Sequence, residues 1–304
     1  MGEEEGLPLI AGGGRPPPSK AWEILWRAAK LLGRAWKLML PVLFIYLIPS
    51  SLLLFGTFIT VEPLIIDMAR RVSTMKTKDP SSSEFLALLP GLTEDLSGFV
   101  AAEVGMLLAS LLLSSFLLTG VINVLTMAAK AEKVTFKDLF YKIKTMWKGL
   151  LATLLYVNLL AFAYETIWLL LLAFAFFIFG LSLGSSVLTA VITVSGLLLL
   201  LYLSMIWSQG VVVSATEEGR YGLTALGRAA ELVQGRRELA FQVNCLKFLI
   251  FAGWYLIMIL LRKVTNPLIT LTVSFYPMLL VSVFCLAVDV AFYNECRKAA
   301  EGNP

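Results

Sequence analysis

The sequence predicts an all-α fold, a polytopic integral membrane bundle of about six transmembrane helices arranged as three tandem units. Three observations predict it. Hydrophobic residues make up 58% of the 304 positions and charged ones only 15%, with a mean hydropathy of +0.82, whereas a soluble domain is about half apolar and about a quarter charged. Six apolar stretches, 38–61, 99–129, 149–180, 187–214, 240–261 and 268–292, each reach the roughly 20 residues that cross a hydrocarbon core at 1.5 Å per residue. An amphipathic pattern precedes the first, third and fifth of them, so each unit reads as an interfacial helix followed by a transmembrane hairpin. Lipid supplies no partner for backbone polar groups, and the alternation of barrel strands is absent, so the spans are helical.

Residues 1–18 carry three adjacent glutamates and then glycines and prolines, a composition expected of a disordered cytoplasmic tail and unlike a signal peptide. In segment 19–37, Lys20, Glu23, Arg27, Lys30, Arg34 and Lys37 recur every three or four residues, with Trp22, Leu25, Trp26, Ala29, Leu32 and Trp36 on another face. That is an amphipathic helix. Two roles stand open for it: lying in the headgroup plane, or packing its apolar face on the bundle. The transmembrane domain follows over 38–295. Pro41 suits a first helical turn, while Pro49 is expected to kink the first span.

The connector 62–98 contains KTKDPSSSE, which reads as a turn or a disordered tip. On the second span, Gly105 with Ala109 and Ser110 with Ser114 give small-residue spacing expected to bring helices close, within or between subunits. Residues 135–148 are a weaker counterpart of the first amphipathic segment. Residues 27–32 (RAAKLL) resemble 228–233 (RAAELV), and since every unit starts on the same side, the repeats would be related by rotation about the membrane normal. The tail 296–304 includes Cys296, a juxtamembrane cysteine open to palmitoylation or simply unmodified.

Orientation follows from the basic residues. Eighteen Lys and Arg fall on the side of the amino terminus and six on the other, with Lys247 inside a span. Positive loops are retained in the cytoplasm, so both termini are expected there. The membrane itself, plasma membrane or endoplasmic reticulum and secretory membranes, is left open.

Four ionisable residues interrupt the spans: Glu103, Glu165, Lys247 and Asp289. At membrane depth each costs at least roughly 2.5 to 3.5 kcal/mol, so each should face the bundle, a cavity or an interface. Glu103 lies near the non-cytoplasmic end of its span. Lys247 and Asp289 sit toward the cytoplasmic ends of antiparallel neighbours and are expected to form an ion pair. Glu165 is the most central, with Asn158 two turns away on the same face, and is a candidate for a polar path or for helix packing.

Segment 215–239, ATEEGRYGLTALGRAAELVQGRREL, carries an acidic pair, a glycine and then A-L-x-R-A-x-x-L-V-x-G-R. Glu217 and Glu218 are expected to precede or open a helix, where its dipole favours negative charge, and Gly235 with Arg236 and Arg237 to close it. The alternative is a cytoplasmic site built from the Glu pair and Arg228. Through Glu217, Glu218, Gly222, Ala225, Leu226, Arg228, Ala229, Leu232, Gly235 and Arg236, the chain resembles a family of uncharacterised six-pass plant membrane proteins. More distantly it resembles the bacterial membrane domain found with glycerophosphodiester phosphodiesterases. The resemblance implies a membrane architecture and no activity, because the phosphodiesterase chemistry belongs to a separate soluble domain.

The chain has no histidine and three cysteines, which removes the commonest metal ligand and any disulfide framework. No P-loop, G-x-S-x-G, H-E-x-x-H, cysteine zinc spacing or Rossmann fingerprint occurs. No catalytic residue, metal or cofactor is therefore expected. The net charge of +4 is better explained by anionic lipid than by nucleic acid. The expected function is non-enzymatic organisation of lipids or partner proteins at the cytoplasmic face, with membrane-protein partners or a homo-oligomer as candidates. The alternative is a channel or transporter for a small solute along Glu165, Asn158, Lys247 and Asp289.

Overall fold

The computed structural model describes residues 20–76, 78, 82–130, 136–179, 183–263 and 267–301. These form seven helices: α1 (Ala21–Lys76), α2 (Ser83–Ala129), α3 (Phe136–Phe179), α4 (Leu183–Thr216), α5 (Leu223–Gln234), α6 (Arg237–Arg262) and α7 (Pro267–Glu301). No strand occurs among the described residues. All but α5 are long and apolar enough to cross a membrane.

The helices outrun the sequence-based boundaries. From Ala21 onward, the amphipathic segment is continuous with the first span, because no glycine or turn residue separates them and α1 passes unbroken through Pro41, Pro49 and Pro63. Each proline removes one ladder hydrogen bond, which bends a helix more readily than it ends one. Segment 135–148 likewise merges with its span in α3 from Phe136 onward. The connector expected over 62–98 is mostly helix, since α1 continues to Lys76 and α2 starts at Ser83. Arg71 and Asp95 pair across it at 2.7 Å. Much of the tip KTKDPSSSE, and all of tail 1–18, lie outside the described residues. Helix α7 passes through Cys296 to Glu301, where a tail was expected. Cys296 is only 4% exposed, so its thiol is closed to acylation in this fold.

Hairpins α1–α2, α3–α4 and α6–α7 pack as neighbours, but only the last is preceded by a separate amphipathic helix, α5. The buried core gathers at the end of the bundle that carries α5. It is made by Ile24, Ala28 and Met39 of α1, residues 121–125 of α2, Leu139 and Leu150 of α3, Val212 and Val213 of α4, Ala225 and Ala229 of α5, and Ala287, Val288 and Phe292 of α7. Alanines at these contacts let helix axes approach closely. Gly120 does the same against Val42 and Ile143, and Gly210 against Leu226. The far halves keep most apolar side chains uncovered, among them Leu169, Leu170, Phe174, Val191 and Leu256. Gly105 has open space around it, so at that position the small-residue spacing on α2 brings no described helix close. Ser110 and Ser114 instead return their hydroxyls to carbonyls of α2 at 2.8 and 2.7 Å.

Candidate functional site

One cluster of enclosed polar side chains forms where α4, α6 and α7 adjoin. Lys247 donates to both carboxylate oxygens of Asp289, at 2.7 and 2.9 Å. Their side chains are 11% and 9% exposed. Ser208 and Gln209 of α4 donate to the same carboxylate at 3.3 and 3.4 Å. One turn away, Asn244 donates to the Leu201 carbonyl and to the Ser204 hydroxyl, each at 2.7 Å. A charge taken from water needs both a counter-charge and hydrogen bonds to its remaining lone pairs, and Asp289 has both. The arrangement locks three helices together.

Glu165 and Asn158 are elsewhere. Tyr164 and Trp168 turn toward α4, donating to the carbonyls of Gly196 and Ile192. One residue is about 100° of helix rotation, so Glu165 is carried onto the exposed outer face of α3. Asn158 is exposed there too, its amide returned to the Leu154 carbonyl at 2.8 Å. Glu103 is exposed on α2. The four residues of the expected path thus fall into two places: an enclosed ion pair and an outward-facing carboxylate with its asparagine.

The family-like segment forms the α4–α5 turn. Glu217 does not open a helix, because its N–H continues the α4 ladder to the Val213 carbonyl at 2.8 Å. An anion at that end opposes the helix dipole. Two partners offset this: the Tyr293 hydroxyl donates to Glu217 at 2.9 Å and Arg220 lies at 3.2 Å. Glu218 is exposed. Gly222 caps α5 with φ 58° and ψ −127°, and its N–H donates to the Thr153 hydroxyl at 2.8 Å. That hydroxyl is also 2.8 Å from Ser214, so α3, α4 and the turn share one buried polar contact. Arg228 pairs with Glu231 on α5 itself at 3.0 Å rather than with the Glu pair. Gly235 does end α5, as the sequence suggests, but with φ −71°, a conformation open to any residue. Arg236 is the residue before α6, and it reaches Glu295 at 3.2 Å.

Tyr293, Thr153 and Gln209 escape the sequence reading because each is a common residue in an apolar context, and Glu295 because it lies past the end of the last apolar stretch, next to the segment read as the tail. The signal that Glu295 offered is its spacing on an α7 that continues past Phe292. Glu295 takes Arg27 of α1 at 2.7 Å as well as Arg236, tying the first helix to the last. Replacing Tyr293, which is buried, with phenylalanine is expected to cost about 1–3 kcal/mol through the loss of a hydrogen bond to a charged acceptor. Thermal unfolding of the purified protein in detergent reads this directly, and an unchanged midpoint would remove the contact from the account.

The first turns of α1 divide into three faces. Ala21, Ile24, Ala28, Leu31 and Ala35 are buried against the bundle. Trp22 and Trp26 remain 71% and 67% exposed, with Trp36 on the same stripe. Lys30, Arg34 and Lys37 are exposed on the other flank, with Arg27 reaching Glu295. The apolar face read from spacing is therefore not the buried one: its tryptophans and Ala29 are exposed, Leu25 and Leu32 are half-buried at its edge, and the bundle covers the adjacent stripe from Ala21 to Ala35. On α3, Phe140 and Tyr141 are likewise exposed among Lys137 and Lys144.

The family model described as Domain of unknown function (DUF8558) matches residues 20–301. No curated protein and no solved structure matches the chain.

Proposed function

The chain belongs to the family described as Domain of unknown function (DUF8558), and from that premise we propose a non-enzymatic, multi-pass membrane protein that organises lipid or partner proteins at the cytoplasmic face. The observation that carries this reading is the row of uncovered tryptophans on α1, Trp22, Trp26 and Trp36, beside Lys30, Arg34 and Lys37. Indole rings favour the headgroup level, and basic residues favour anionic lipid by about 1 kcal/mol each near the surface. A soluble protein would bear a cost for leaving such a row in water. The excess of Lys and Arg on the side of the termini supports a cytoplasmic position for both. The resemblance to six-pass plant membrane proteins and to the phosphodiesterase-associated membrane domain supports the multi-pass architecture of this reading.

The test uses full-length protein in phosphatidylcholine and phosphatidylserine vesicles, with lipid brominated near the headgroup as a fluorescence quencher. Replacing Trp22, Trp26 and Trp36 together with phenylalanine should remove a large share of the quenchable emission. Changing Lys30, Arg34 and Lys37 to glutamine should weaken the preference for phosphatidylserine. If the three tryptophans contribute nothing to the quenched fraction, the proposed contact is wrong.

A further inference from the structure

An apolar crevice of about 350 Å³ lies between α1, α2 and the start of α3. Ile45, Tyr46, Phe116, Leu117, Leu139 and Phe140 are among its walls, and Tyr46 supplies the one polar side-chain atom in the lining. The crevice opens outward, since Ile45 and Phe140 are exposed. A sealed apolar void of this kind stays dry, but one that opens into lipid is filled by whatever chain lies against it. Its size is at the lower end for small-molecule pockets, which suits a single flexible hydrocarbon tail.

Along α3 the cations beside the crevice outnumber the one acidic residue, Asp138, exposed in the first turn. Lys137 and Lys144 lie three residues before and four after Phe140, and so share its face of α3. Both are exposed. Lys148 follows one turn later, 5.8 Å from the ring centroid of Trp147, and Trp147 stacks on the wall residue Phe116 with centroids 4.6 Å apart. An apolar slot bordered by cationic side chains complements a molecule with an anionic head and an apolar tail. We propose that this crevice is a binding site for an anionic phospholipid, one acyl chain lying against Phe116 and Leu117 and the phosphate meeting Lys137 and Lys144. The site rests on the reading that puts the α5 end of the bundle at the cytoplasmic leaflet, and it extends that reading from a general surface contact to a discrete lipid.

The experiment reconstitutes the full chain with phosphatidylserine or phosphatidylcholine carrying a photoreactive diazirine in the acyl chain, and maps adducts by peptide mass spectrometry. Phosphatidylserine should label residues 42–49 and 113–117 roughly thirtyfold more than phosphatidylcholine, as two favourable lysine contacts of about 1 kcal/mol each imply. The surface double variant K137Q/K144Q should bring that yield down to the phosphatidylcholine level. Ile45→Trp, which narrows the mouth at an exposed position, should reduce crevice adducts of both lipids. Equal yields from the two lipids in the unaltered protein, or adducts as dense on Leu155 and Leu169 of the outer α3 face as in the crevice, overturn the site. Adducts along residues 22–36 without crevice adducts overturn this site alone, whereas absence of both overturns the placement of the α5 end in lipid.

Discussion

Asp289→Ala is expected to lower stability by about 3–5 kcal/mol, the usual cost of stranding one member of an enclosed ion pair. Lys247 would keep its ammonium among α4, α6 and α7 with its counter-charge gone, while Ser208 and Gln209 would lose their shared acceptor. Lys247→Ala should be nearly as harmful, because the carboxylate then remains with only two neutral donors. The double replacement Lys247→Met with Asp289→Leu should recover most of the loss, since it removes both charges and refills the volume. Thermal unfolding in detergent of the two singles and the double gives the coupling. A double variant that loses the sum of the singles would mean that the pair contributes nothing to stability as a pair.

Gly222→Ala should cost about 1–3 kcal/mol, for two reasons that act together. Its φ of 58° with ψ −127° is a conformation that residues with a Cβ seldom adopt, and the added carbon would come 2.9 and 3.0 Å from the Tyr156 ring. The Thr153 contact would be pulled apart as the turn moves. Gly219→Ala is the matched control, with φ 80° and nothing within 4 Å of the new carbon. It should carry the conformational cost without the clash, so its melting temperature should fall less. Equal shifts for the two would assign the whole effect to backbone conformation and none to the contact with Tyr156.

Much of the helical architecture was legible because it follows from periodicity and length: the apolar runs contain enough residues to cross a bilayer, and six helices of the right length and hydropathy occupy them. The meeting of Lys247 with Asp289 was legible too, as two opposite charges at similar depth on neighbouring spans have few other partners. Helix ends were harder to read. Charge and hydropathy change at Lys37 and again near Glu62, yet neither change breaks a helix, because breaking one needs a backbone cause. Gly219 and Gly222, with their positive φ values, supply that cause between α4 and α5. Glu217 was misread for a related reason. Its acidic pair fits the start of a helix, and Tyr293 of α7 together with Arg220 of the turn makes it tolerable at an end. Which stripe of α1 the bundle buries needed the neighbouring helices, since spacing drew attention to the tryptophan face while the covered one is Ala21, Ile24, Ala28, Leu31 and Ala35.

The concentration of close packing at the α5 end has a dynamic consequence. Opening free energies within one fold range from near zero up to the global value, following local packing. Backbone amides of 121–125 on α2 and 285–290 on α7 belong to the most enclosed stretches, and they should exchange with deuterium last. Those of α3 and α4 around Leu170 and Val191 should exchange sooner wherever detergent does not shield them. The chain would then loosen from its far end, with the first and last helices still clasped through Glu295 after the outer hairpin tips have come apart.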